Sequence, residues 1–87
     1  MTFRLDQNYP NPFNPATNFE FRISDFGFVS LKVFDVLGRE VETLVNEVVG
    51  PGVHTVRWNA SGSPSGVYLY QLRAGSFVEA RKMVLTK

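Results

Sequence analysis

The 87-residue chain has no cysteine, a single histidine and no apolar run long enough to cross a bilayer as a helix. Without cysteine there is neither a thiolate nucleophile nor a disulfide staple, although that absence leaves an exported domain open. His54 alone cannot make a zinc site, which needs three other ligands beside it. The eight acids (Asp6, Glu20, Asp25, Asp35, Glu40, Glu42, Glu47 and Glu79) stand singly. Only Glu40 and Glu42 share a strand face, with no third acid in reach by sequence, so they read as solvated positions that discourage edge pairing. No glycine cluster precedes a Lys-Ser/Thr pair, so there is no phosphate loop. Neither an enzyme nor a cofactor is expected, because no acid, base and nucleophile fall together.

Charge of one sign is also lacking. Nine Lys and Arg against eight Asp and Glu give a formal net charge of +1. Nucleic acid rewards clustered cations, and so does an anionic membrane, so neither is an expected partner. The N-terminus lacks the charged, apolar and small-residue succession of a signal peptide, which places any export signal elsewhere. Helical periodicity is missing too. The only candidate, residues 40–49, carries Val41, Val45, Val48 and Val49, which are poor helix formers.

What the chain does have is apolar mass on a two-residue period. Hydrophobic residues are 44% and aromatics 14%, with eight Phe, enough for one compact core in a single domain spanning 1–87. A chain this short buries about 60–65% of the surface its unfolded form exposes, so its margin is thin. Phe19, Phe21 and Ile23 alternate with Asn18, Glu20 and Arg22. Val29, Leu31 and Val33 share the next inward face, Val41 and Val45 the one after it, then Val56 and Trp58, then Tyr68, Tyr70 and Leu72. Phe28 and Phe34 fall on the outer parity of their strand. The last strand, 77–85, places Val78, Ala80 and Val84 on one side and Phe77, Met83 and Leu85 on the other, and a bulge near Arg81-Lys82 is expected to reconcile them.

Turn signals separate these runs. Asp35-Val36-Leu37-Gly38 suits a type I turn with Gly38 left-handed. Gly50-Pro51-Gly52 is a second turn, with Gly52 supplying the positive φ. Residues 61–66, "SGSPSG", form a loop that ends at Gly66, and Ala74-Gly75 is expected to make a tight hairpin. With a short strand near Phe3 to Asp6 the count reaches seven. Seven short antiparallel strands predict an all-β, immunoglobulin/fibronectin-III-like sandwich without substantial helix. The expected sheets are strands one, two and five against four, three, six and seven. Tyr68 falls at the tyrosine-corner position, and Tyr70 at the place of the second disulfide cysteine. Trp58, Tyr68 and Tyr70 face the core by parity rather than lining a sugar platform.

"NYPNPFNP", residues 8–15, stands apart. Pro10, Pro12 and Pro15 remove ladder donors, so this is no central strand. Tyr9 and Phe13 make it too aromatic for a flexible tether. The expectation is a stiff crossing between the first two strands. Phe13, with Tyr9 as second candidate, would plug one end of the sandwich while Asn side chains satisfy freed backbone.

"NYPNPFNP", "KVFDVLGREV", "GVHTVRWNA", "SGVYLYQLRAG" and "RKMVLTK" occur in this order, and together they resemble the type A C-terminal sorting domain of the bacterial type IX secretion system. The likeness runs from about Leu5 to Lys87. A more distant similarity is to the immunoglobulin-like domain of flagellar hook-capping proteins. The resemblance implies a signal domain continuous with an N-terminal cargo. It implies outer-membrane secretion machinery and a sortase-like protease as partners, with the cargo ending at the cell surface or outside. It also implies that Lys82, Met83, Val84, Leu85, Thr86 and Lys87 form the terminal sorting motif. On physical grounds such a last strand can present backbone groups to a receptor by strand addition; otherwise it is simply the last core strand. The alternative is an accessory module for polysaccharide or a neighbouring domain, carried by the outward Phe28 and Phe34. The same outward aromatics, with an edge strand, predict weak self-association.

Overall fold

The computed structural model describes residues 2–87, leaving only Met1 outside. It contains seven strands: β1 (Arg4–Leu5), β2 (Ala16–Ile23), β3 (Gly27–Asp35), β4 (Glu40–Val49), β5 (Gly52–Asn59), β6 (Gly66–Ala74) and β7 (Phe77–Leu85). They form two antiparallel sheets, β1-β2-β5 and β4-β3-β6-β7. The all-β sandwich expected from the alternation is therefore the fold, with the same strands in each sheet.

The reason is the two-residue side-chain period. Each run that alternates in sequence sends its large apolar residues between the sheets. Phe19, Phe21, Ile23, Val29, Leu31, Val33, Trp58, Tyr68, Tyr70 and Leu72 are buried, and Val56 is half-buried against them. Tyr70 meets Phe19 edge to face at 4.7 Å, in the centre of the sandwich. The Tyr68 hydroxyl donates to the Pro64 carbonyl at 2.6 Å and so closes a tyrosine corner.

The Asp35–Gly38 turn is held by the Asp35 carboxylate. It accepts the Leu37 and Arg39 amides at 2.9 and 3.0 Å and the Arg39 guanidinium at 2.7 Å. Gly38 has φ +83°, where an L side chain is strained. Gly52, Gly66 and Gly75 also carry positive φ.

Three local expectations are corrected. Val41 is 39% exposed rather than inward. The β3–β4 register slips at Leu31/Lys32 and again at Val33/Phe34, leaving Leu44 and Val41 as the extra residues of two bulges. β7 has no bulge: its pairing with β6 is continuous from Ala74↔Phe77 to Gly66↔Leu85. Phe77, Met83 and Leu85 already share a parity, and the half-buried Glu79 and Arg81 lie on it too. The β6–β7 hairpin turns at Gly75-Ser76, one residue later than expected, since Ala74 still pairs.

Candidate functional site

The terminal strand turns its residues to alternate sides. Met83 and Leu85 are buried at 0% and 1% exposure, whereas Lys82 is exposed and Val84 half-buried on the outer face. Thr86 and Lys87 continue past β7 into solvent. The Lys87 amide donates to Ser65 Oγ at 3.0 Å, and its Nζ donates to the Ser61 carbonyl at 2.6 Å. The end of the chain is thereby fixed against the β5–β6 loop.

The outer edge of this strand is already taken. The Phe13 amide donates to the Val84 carbonyl at 3.0 Å, and the Thr86 amide donates to the Phe13 carbonyl at 2.9 Å, which makes a parallel bridge at Phe13↔Leu85. The Val84 amide donates to Asn11 Oδ1 at 3.0 Å. Gln7 Nε2 donates to the Lys82 carbonyl at 2.9 Å, and Arg81 Nε reaches the Leu5 carbonyl at 2.8 Å. Strand addition by a receptor, expected from the sequence, therefore meets an occupied edge over residues 82–86. Those backbone groups pair with the Asn/Pro-rich crossing instead.

The crossing is ordered by its own burial. Phe13 is 1% exposed and packs at 5.9 Å from the Trp58 ring, closing one pole of the sandwich. Asn8 is 2% exposed. Its Nδ2 donates to Pro10 O at 3.2 Å and to Thr17 Oγ1 at 3.0 Å, while Thr17 Oγ1 donates to Pro10 O at 2.9 Å. Buried backbone without a ladder partner must be satisfied in this way. Tyr9 does not act as a second plug, for its side chain is 78% exposed. It forms a backbone bridge with the outward Asn18, and directly opposed residues share a face. Pro10 and Pro12 are exposed, Pro15 is half-buried, and the Xaa-Pro bonds at all three are cis.

Tyr70 ties the crossing to the core. Its hydroxyl accepts the Asn8 amide at 2.8 Å and donates to the Asp6 carbonyl at 2.8 Å. Burial pushes the phenol up to about 12. Asp35 is held below the usual carboxylate range by the Arg39 amide first, then by the Arg39 side chain and the Leu37 amide. Glu40 is lowered by the Thr43 hydroxyl and by Lys32. His54 stacks on Phe21 at 5.4 Å and its Nε2 lies 2.8 Å from the Gly50 carbonyl, which is a packing role. Asn8 and Asn11 satisfy backbone groups as expected of the Asn side chains here, whereas Gln7 is a position missed in sequence. The only signal for Gln7 was its place just before the Asn/Pro-rich stretch.

The secretion system C-terminal sorting domain family matches residues 7–86. The chain belongs to that family. This sorting domain is a type IX secretion signal, and it directs an attached cargo through the outer membrane to the cell surface or the extracellular space. Among solved structures, the sorting domain is similar to PorZ, described as an essential bacterial surface component of the type IX secretion system of Porphyromonas gingivalis. That likeness has a TM-score of 0.67 at 20% identity and covers 93% of this chain but 11% of PorZ, so it bears on the fold. No curated protein matches the sorting domain.

Proposed function

We propose that Lys82 to Lys87 are the residues of this sorting domain that the secretion machinery reads. The attached cargo is then released by a sortase-like protease and held at the cell surface, and the domain itself performs no chemistry. The observation that carries the reading is the placement of "KMVLTK". Two of its apolar residues anchor it in the core, while Lys82, Thr86 and Lys87 stay exposed at the end of an edge strand. The signal is thus presented from a rigid frame rather than as a free tail.

The polysaccharide-module alternative is less well supported. Trp58 and Tyr68 are 6% and 4% exposed, which removes them from any stacking platform. What remains is a groove of about 560 Å³ lined by Phe3, Asp25, Phe26, Phe28 and Arg73, at the pole opposite Lys87. Phe26 and Phe28 are 73% and 55% exposed there.

The test fuses residues 1–87 to a periplasmic reporter in a host with a working type IX system. Deleting Lys82 to Lys87 is expected to keep the reporter inside. A shorter deletion of Thr86 and Lys87 spares Met83 and Leu85, and so separates loss of signal from loss of core. Undiminished surface export of both truncations refutes the assignment. Release of the reporter without its domain reports the protease step.

A further inference from the structure

The two outer faces of the sandwich differ in character. On the three-stranded sheet, Asn18, Glu20 and Arg22 of β2 lie beside Thr55 and Arg57 of β5, so both charge signs are mixed with polar residues. Arg4 of β1 reaches Glu20 on this face at 3.3 Å. That is an ordinary solvated face.

The outward positions of β3, β6 and β7 carry Lys32, Arg73 and Lys82, and no carboxylate. The polar Ser30 and Gln71 separate Lys32 from Arg73, and an apolar strip lies beside Lys82. Phe34 lies opposite Leu69, which lies opposite Lys82, and Val67 lies opposite Val84. Val67 and Leu69 are 38% and 39% exposed. Lys32 is joined to Glu40 of β4 at 3.3 Å, but among the described residues Arg73 and Lys82 have no acidic partner.

This face is also where the terminal strand is visible. Met83 and Leu85 point into the core, and the strand edge is filled by Gln7, Asn11 and Phe13. Lys82 and Val84 are what β7 offers outward from residues 82–85 while the domain stays folded.

We propose that the folded domain is recognised through this outer face. The partner is a protein of the secretion machinery that presents an apolar surface with carboxylates placed opposite Arg73 and Lys82. An apolar centre bordered by complementary charge is how such interfaces gain both contact area and register. The proposal rests on the sorting reading and adds where the contact lies. An anionic membrane is the less fitting occupant. Polybasic lipid sites use about four to eight clustered cations, whereas this face has two unpaired ones.

The experiment uses the reporter fusion of the whole domain with Leu69→Glu or Arg73→Glu, neither of which belongs to the terminal six residues. Arg57→Glu on the opposite face is the control. Both positions are exposed or half-exposed, so melting of the purified variants is expected to stay close to that of the parent. Where Leu69→Glu unfolds, Leu69→Ser replaces it. Loss of an interface contact worth a hot spot lowers surface export by about tenfold or more, and Arg57→Glu exports normally. Export of both face variants within about twofold of the parent, less than 0.5 kcal/mol by the same conversion, overturns the proposal. The unsubstituted fusion separates the two readings. If it stays inside, the sorting reading fails and this one with it; if it and both variants reach the surface, the face alone is wrong. Sedimentation with phosphatidylglycerol vesicles supplies the remaining arm, because parent binding that is lost in Arg73→Glu assigns the face to a membrane and overturns a protein partner.

Discussion

Tyr70→Phe removes one oxygen and leaves every ring contact in place, including the edge-to-face packing on Phe19 at 4.7 Å. Two hydrogen bonds disappear with it, both 2.8 Å long. The losses are unequal. Asn8 is 2% exposed, so its amide becomes a buried donor without an acceptor, a cost of about 1–3 kcal/mol. The Asp6 carbonyl is half-buried and finds water more easily, so its loss is about 0.5–1.5 kcal/mol. The expected sum is about 1.5–4.5 kcal/mol, and its midpoint of about 3 kcal/mol lowers Tm by about 12–24 °C in a domain this size. Urea denaturation is the assay, with an unchanged slope showing that the same surface unfolds. Amide exchange supplies the local reading, since Asn8 should lose protection while the centre of β3 keeps it.

Alkaline titration gives the same residue a second test. The folded phenol, desolvated by burial, has its pKa pushed from 10.0 to about 12. Folding therefore favours the neutral form. That contribution is fully present below pH 10 and is lost as pH rises through 12. The stability gap between the parent and Tyr70→Phe should narrow over that window. A gap under about 0.5 kcal/mol at neutral pH, or one indifferent to alkali, would falsify the account of Tyr70 as the tie between the crossing and the core.

Two further substitutions probe the turn and the plug. Phe13→Ala empties a site that is 1% exposed against Trp58 and should cost about 3–5 kcal/mol in denaturant melts; a loss below about 1 kcal/mol would return residues 8–15 to a tether. Asp35 has its pKa lowered below 3.8 chiefly by the Arg39 amide, so its contribution holds above that value and is lost as pH falls through the folded one. Asp35→Asn should be less stable than the parent at neutral pH, and the two acid melting curves should converge below pH 3.8, with parallel curves counting against the turn.

The sheets were legible because Phe19 to Ile23 and Val29 to Val33 keep strict alternation, because Gln71 and Arg73 mark the outer face of β6 despite the outward Leu69, and because burial on one face leaves few registers open. Tyr68 could be placed at the corner for the same reason. The β4 bulges were not legible, since Val41 and Leu44 look like any other strand residue and only the pairing with β3 reveals them as extra. In β7 the charged Glu79 and Arg81 disguised a continuous inward parity. They are tolerated because Arg81 meets Glu79 at 3.1 Å and donates to the Leu5 carbonyl at the margin of the sandwich. The terminal motif could be read as a string, but not the direction each residue faces. Least visible was the partner of that strand. Asn11 and Val84 are separated by 73 residues, and no local pattern announces so distant a contact.

The parallel run of residues 7–13 beside β7 also governs how the domain answers a pull. The bonds at Lys82, Val84 and Thr86 join the first crossing to the last strand side by side. Tension applied between the two ends of the chain loads these bonds together, in shear, and they must break at once rather than open one after another like a zip. Forced unfolding is set by that barrier, not by the equilibrium stability of a thin core. A small sandwich without a single disulfide thus carries its mechanical clamp at the seam where its first and last segments meet.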